Sequence, residues 1–158
     1  MAFEIHVLWA GRHQRDSWEE LCSGYARRIA RWVPIRDRAI RVRRGGDRAQ
    51  RLRDEAEALS AAVPRDALLV ALDRRGRTYS SEELADEISR WRREWPHPIA
   101  FVVGSDLGLT PQVVERARLV LSFGPLTLPH ELARLVLYEQ VYRALSIAAG
   151  INYHRQPF

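Results

Sequence analysis

The chain is 158 residues long, 46% hydrophobic and 28% charged, a size and balance that suit one domain with its own core and no disulfide or metal staple. It carries a formal net charge of +5 and a single cysteine, Cys22, which excludes an intramolecular disulfide and makes a reducing cytoplasm the expected compartment. No apolar run approaches the ~18 residues of a membrane span, and the opening residues lack both a basic stretch and a small-residue cleavage site, so neither a membrane partner nor a leader peptide is expected.

Phe3, Ile5, Val7 and Trp9 alternate with Glu4, His6 and Leu8 over residues 3–9, as in a strand, and Gly11 ends the pattern. Ser17 with Glu20 has the spacing of a capping box, followed by Trp18, Leu21, Cys22, Tyr25 and Ile29 at helical intervals up to Pro34. Cys22 falls on the apolar face and is expected as a small buried hydrophobe. Residues 35–42 suit an arginine-studded edge strand; Gly45-Gly46 is a turn, and Asp47 caps a helix with Leu52, Ala56 and Leu59 inward. The run Ala67–Leu72 is continuously apolar, as a central parallel strand is, and residues 73–78 form its exit loop. Ser80 and Glu83 start a helix with Leu84, Ile88, Trp91 and Trp95 on one face. Residues 98–103 make another buried strand, Thr110-Pro111 opens a short helix, and residues 119–122 form a fifth strand. Pro129 starts a long helix apolar on more than one side, so it is expected to bury more than one face, and Gly150 ends it. Strands and helices alternate five times, which predicts an α/β fold with a parallel sheet flanked by helices.

All 25 basic residues are arginine. Thirteen of them stand between Arg12 and Arg53 against five acids, whereas Glu94 to Phe158 holds five of each. The positive field therefore belongs to the first third, and arginine suits bidentate contact with phosphate and stacking on bases. This predicts an RNA-facing surface, the alternative being a solvated surface in an arginine-biased proteome.

Ligands of open parallel sheets gather at the carboxyl ends of the strands. Three such ends are equipped here: Leu72-Asp73 with Arg74, Arg75 and Arg77; Gly104 to Leu109; and Phe123-Gly124-Pro125-Leu126-Thr127-Leu128. Their composition predicts an apolar, backbone-lined pocket rather than a phosphate cradle, and no Walker or dinucleotide fingerprint is present. His130 lies in the first turn of the last helix, where an imidazolium is disfavoured. Glu139 and Arg143 form an i,i+4 pair, and Tyr153, His154 and Arg155 equip the tail; the alternatives are a capping histidine, a surface ion pair and a frayed end. The eight residues after Gly150 can span at most ~26–29 Å, enough to cross an interface between two copies. The five histidines (6, 13, 97, 130 and 154) show no metal-ligand spacing, so no metal is expected.

Leu128-Pro129-His130, the run from Glu139 to Ala144 and Tyr153-His154-Arg155 together resemble the carboxyl end of the RlmH family, bacterial SPOUT-class methyltransferases. The similarity extends upstream through Phe101 to Leu109, Leu72-Asp73 and the opening strand, and so covers essentially the whole chain. It implies a single domain over residues 1–158, a SPOUT-type trefoil knot at the carboxyl end, and a functional tail at 151–158. It implies an S-adenosylmethionine (SAM)-dependent enzyme that methylates N3 of a pseudouridine in 23S ribosomal RNA on the assembled ribosome. SAM would bind at Leu72, Gly104 and Phe123, Gly124, Pro125, Leu126, Thr127 and Leu128. Catalytic work would fall to His154, Tyr153, Arg155, Glu139, Arg143 and His130, with the tail of one subunit completing the site of the other in a homodimer. Two positions depart from the family pattern: Ser105 replaces the second of two adjacent glycines, and Leu107 replaces a polar or acidic residue. The competing readings are a non-catalytic RNA- or ribosome-binding α/β module and a small-nucleotide-binding protein.

Overall fold

The computed structural model describes residues 2–41 and 45–155. Five strands, β1 (Ile5–Ala10), β2 (Ile35–Ile40), β3 (Leu68–Thr78), β4 (Ile99–Val103) and β5 (Leu119–Ser122), form one sheet in the order β2-β1-β4-β3-β5. Every described pairing is parallel, so all carboxyl ends lie along one edge. Five α-helices connect them: α1 (Ser17–Ile29), α2 (Arg48–Ala62), α3 (Ser81–Glu94), α4 (Pro111–Arg116) and α5 (His130–Ala148); a 3₁₀ turn over Asn152–Arg155 follows.

The strand alternation divides the core. Ile5, Val7, Trp9, Val70 and Phe101 face α1, α3 and α5, whereas Leu8, Ala10, Leu69, Ala71 and Val102 face α2 and α4. Strand β4 sits at the centre and is buried at all five positions, which is why it reads as an unbroken apolar run.

Helix starts follow the capping residues. Asp47, Ser80 and Thr110 each accept a backbone N–H three residues on, and Ser80 with Glu83 completes a capping box. The first helix differs from expectation. Its cap is Asp16, extended at φ −138° and accepting the Glu19 N–H at 2.9 Å, so Ser17 is already helical and makes no capping box with Glu20. Strand β3 also differs. It does not end at Leu72 but runs on to Thr78, because β5 pairs with both stretches, Leu121 facing Leu72 and then Arg77 across an irregular register. Gly76 permits this approach: a Cβ there would lie 2.4 Å from the Val120 carbonyl oxygen. Trp95, expected inward with Leu84, Ile88 and Trp91, is instead partly exposed past the end of α3.

Helix α5 buries Leu137, Tyr138, Val141, Ala144 and Leu145 against the sheet, α1 and α3. Gly150, at φ +73°, ends it in a Schellman motif: the Ile151 N–H reaches the Ser146 carbonyl at 2.9 Å and the Gly150 N–H reaches Ile147 at 3.0 Å. The same helix carries a buried cation, Arg134. It donates to Asp37 Oδ2 from Nε (3.1 Å) and Nη2 (2.8 Å) and to Glu19 from Nη1 (3.1 Å). Asp37 also accepts from Trp9 Nε1 at 2.7 Å and from the Tyr138 hydroxyl. One carboxylate thereby ties α5 to β1 and β2. Burial, and then the adjacent Asp37 charge, push the Tyr138 phenol up. Cys22 is buried as expected, with burial lifting its thiol to about 11.

Candidate active site

At the carboxyl edge the exits of β3, β4 and β5 converge on an open cavity of about 440 Å³, within the ~300–1,000 Å³ of small-molecule sites. Its lining includes Leu72, Gly104, Phe123, Gly124, Leu126, Thr127, Leu128 and His130, all named from sequence; Pro125 belongs to the same loop but not to the lining. Leu126 is 80% and Leu128 37% exposed, an unusual display of apolar surface beside a cavity. The Ser122 hydroxyl anchors the loop by donating to the Arg74 carbonyl at 2.9 Å and accepting the Gly124 N–H at 3.0 Å. Gly124, at φ +110°, supplies the turn. Among the described residues no protein acceptor engages the N–H of Leu126, Thr127 or Leu128.

Charged groups rim the same space. Asp73 receives Arg75 through Nε (3.0 Å) and Nη2 (2.8 Å), and this hydrogen bonding, against some desolvation, holds its carboxyl below the ordinary aspartate range. Arg74 and Asp106 also line the cavity. In the sequence Asp106 reads only as part of the Gly104 to Leu109 strand end, because one acid in a glycine-rich turn carries no spacing signal that singles it out.

The remaining candidates form a second group. Glu139 Oε1 accepts from Arg143 Nη2 at 2.6 Å and Nε at 2.7 Å, and Glu139 Oε2 accepts the Tyr153 hydroxyl at 2.8 Å. Arg143 lies 4.9 Å from the Tyr153 ring centre, and Tyr142 meets that ring edge-on at 4.7 Å. Burial and then the Glu139 hydrogen bond raise the Tyr153 phenol, keeping its proton at neutral pH. Tyr153 therefore packs back on its own helix. His154 and Arg155 continue the 3₁₀ turn, but their side chains and Gln156-Pro157-Phe158 lie outside the described residues. At 1.5 Å per residue, Glu139 stands ~13 Å and Arg143 ~20 Å along α5 from His130. One chain thus brings together the strand-end residues and His130, and separately Glu139, Arg143 and Tyr153.

Of the thirteen arginines from Arg12 to Arg53, ten are exposed among the described residues, and Arg28 is half-buried against Tyr25 and Tyr142. Arg12 and Arg15 follow β1, and Arg36, Arg38 and Arg41 stand on or just past β2. Of these five, only Arg36 makes an ion pair among the described residues, with Glu4 at 3.3 Å. Arg12, Arg15 and Arg41 lie at the same edge of the sheet as the cavity.

A parallel α/β sheet whose strand exits build a cavity lined by apolar side chains, backbone and a charged rim, more polar than the sequence predicts, defines a small-ligand-binding protein of the α/β class. The family described as "Predicted SPOUT methyltransferase" matches residues 3–154. "Ribosomal RNA large subunit methyltransferase H" of Rhodospirillum centenum is 42% identical over 151 residues, covering 94% of this chain and 98% of that protein. The protein of the same name from Nitrobacter winogradskyi is 37% identical over 157 residues, covering 94% and 97%. The fold is shared with a probable methyltransferase from Bordetella pertussis at a TM-score of 0.53 and 17% identity, covering 90% of this chain and 93% of that one. The chain belongs to the RlmH family of SPOUT methyltransferases, the ribosomal RNA large subunit methyltransferases H.

Proposed function

We infer that this chain, as a homodimer, transfers a methyl group from SAM to N3 of a pseudouridine in 23S ribosomal RNA, acting on the assembled ribosome. The observation that carries this reading is the cavity at the ends of β3, β4 and β5, in a chain of this family. Its donor set fits SAM. Leu72, Phe123, Leu126 and Leu128 offer apolar surface for an adenine, and the unengaged N–H groups of residues 126–128 can read its edge. Asp73 and Asp106 suit an ammonium, and Arg74 suits a carboxylate. SAM supplies an electrophilic methyl on a sulfonium. Membership of the family is what supports the knotted threading of the SPOUT class at the carboxyl end.

The split between the two groups of residues supports a two-copy site, in which the tail cluster of one copy meets the cavity of the other. Bound SAM would supply the methyl group for N3 of the nucleobase, and the N3 proton would leave to a basic side chain. Glu139 is already engaged by Arg143 and Tyr153, which favours His154 as that base. Tyr153 keeps its proton and serves as a donor. Arg143 and Arg155 stabilise the developing imide anion, and the arginines after β1 and β2 hold the RNA backbone.

The test supplies methyl-labelled SAM and ribosomes lacking the modification to the wild-type chain and to a chain ending at Gly150. Label on one large-subunit pseudouridine, lost on truncation while SAM binding persists, is the expected result. Absence of transfer by a wild-type chain that binds both SAM and ribosomes refutes catalysis and supports the binding-module reading.

A further inference from the structure

The loop after β4 forms one wall of the cavity through Gly104, Asp106, Leu107, Gly108 and Leu109. Ser105 does not line it. Its backbone N–H donates to Glu55 Oε1 at 2.9 Å and its hydroxyl donates to Glu55 Oε2 at 2.7 Å. The same hydroxyl accepts the Leu107 N–H at 3.2 Å, and the Ser105 carbonyl accepts the Gly108 N–H at 3.0 Å. The loop is closed tightly on itself, since a Cβ at Gly104 would lie 2.8 Å from the Gly108 carbonyl oxygen.

Glu55 is 5% exposed on the inner face of α2, and both of its described hydrogen bonds go to Ser105. Among the described residues no cation pairs with it. Such burial is costly, and an apolar residue of similar volume would serve stability at least as well. What the carboxylate adds is geometry. It is acceptor-only when ionised and meets two donors, and its contact spreads through Ser105 to Leu107 and Gly108.

We propose that Glu55 is a positioning residue for the cofactor: acting through Ser105 from behind the wall, it holds the 104–109 loop in the shape that SAM binds. This rests on the reading that the cavity takes SAM. SAM affinity, by calorimetry, and turnover at saturating SAM are measured for Glu55→Ala, Ser105→Ala and the double variant, with thermal melting as the check on folding. Glu55→Ala is expected to weaken SAM binding on the order of tenfold, or about 1.4 kcal/mol. Saturated turnover should stay near wild type, and the double variant should bind no more weakly than Glu55→Ala alone. A folded Glu55→Ala protein with wild-type affinity overturns the proposal, as does strict additivity in the double variant. Should Glu55→Ala not fold, Glu55→Gln replaces it, with an intermediate loss of affinity expected and an unchanged affinity counting against the clamp. If the wild-type chain itself binds no SAM, the cofactor reading fails separately. Amide exchange at Ser105 and Leu107 then decides the clamp: faster exchange in the variant upholds it, and unchanged exchange overturns it.

Discussion

Replacing Asp37 with alanine removes the carboxylate that gathers Trp9, Arg134 and Tyr138. Arg134 is 3% and Tyr138 1% exposed, so water cannot readily replace the lost partner. Arg134 keeps only Glu19, at 3.1 Å, and the Tyr138 hydroxyl loses its described acceptor. Breaking a buried ion pair by deleting one partner costs ~3–5 kcal/mol, and the surviving Glu19 contact argues for the lower half of that range. At ~2–4 °C per kcal/mol for a domain of this size, Tm should fall by roughly 6–16 °C. Differential scanning calorimetry measures the drop, and the Asp37→Ala/Arg134→Met double variant should lose less than the sum of the singles by ~1–3 kcal/mol. A drop under ~2 °C, or simple additivity, would show that the network does not join α5 to the first two strands as its geometry implies.

Gly76→Ala should destabilise the chain and splay β3 from β5, because the new methyl meets the Val120 carbonyl at 2.4 Å; loss of amide protection across β5 on hydrogen exchange is the check. Acid should weaken the site through Asp73, whose carboxyl is lowered chiefly by its hydrogen bond from Arg75. A depressed carboxylate adds stability above its unfolded value of ~3.9 and loses it as pH falls through the folded value. Unfolding monitored below ~pH 4 should therefore show a smaller loss in Asp73→Asn than in wild type, and identical acid profiles would contradict the assignment.

Much of this architecture was legible because local signals agreed with the tertiary outcome. The Thr110-Pro111 start, the Ser80–Glu83 box and Gly150 each carry their geometry in their residue type. The failures have physical causes. Asp16 and Ser17 are both capping types, and only the backbone angle decides between them. The stretch Asp73 to Thr78 is polar and reads as a loop, yet it is extended because β5 lies beside it. Glu55 does not stand out in the sequence, because its neighbours Asp54 and Glu57 share its charge, although its spacing from Leu52 and Leu59 places it on the inward stripe. The pocket residues were legible because parallel strands gather their exits, and Pro129 and Gly150 bound α5 in the sequence, whereas the return of Tyr153 onto Glu139 across the helix end has no motif.

Strand β2 ends the sheet with one free edge, and Arg36 and Arg38 stand exposed along it. An unpaired edge invites strand addition by another chain, and charge is a common guard against it. In the proposed reading of the arginine surface as RNA-facing, the guard and the RNA-binding charge are the same side chains. Neutralising them with a polyanion would relieve the repulsion between the edges of two copies, so on that reading RNA bound to the surface would also lift its protection against self-pairing.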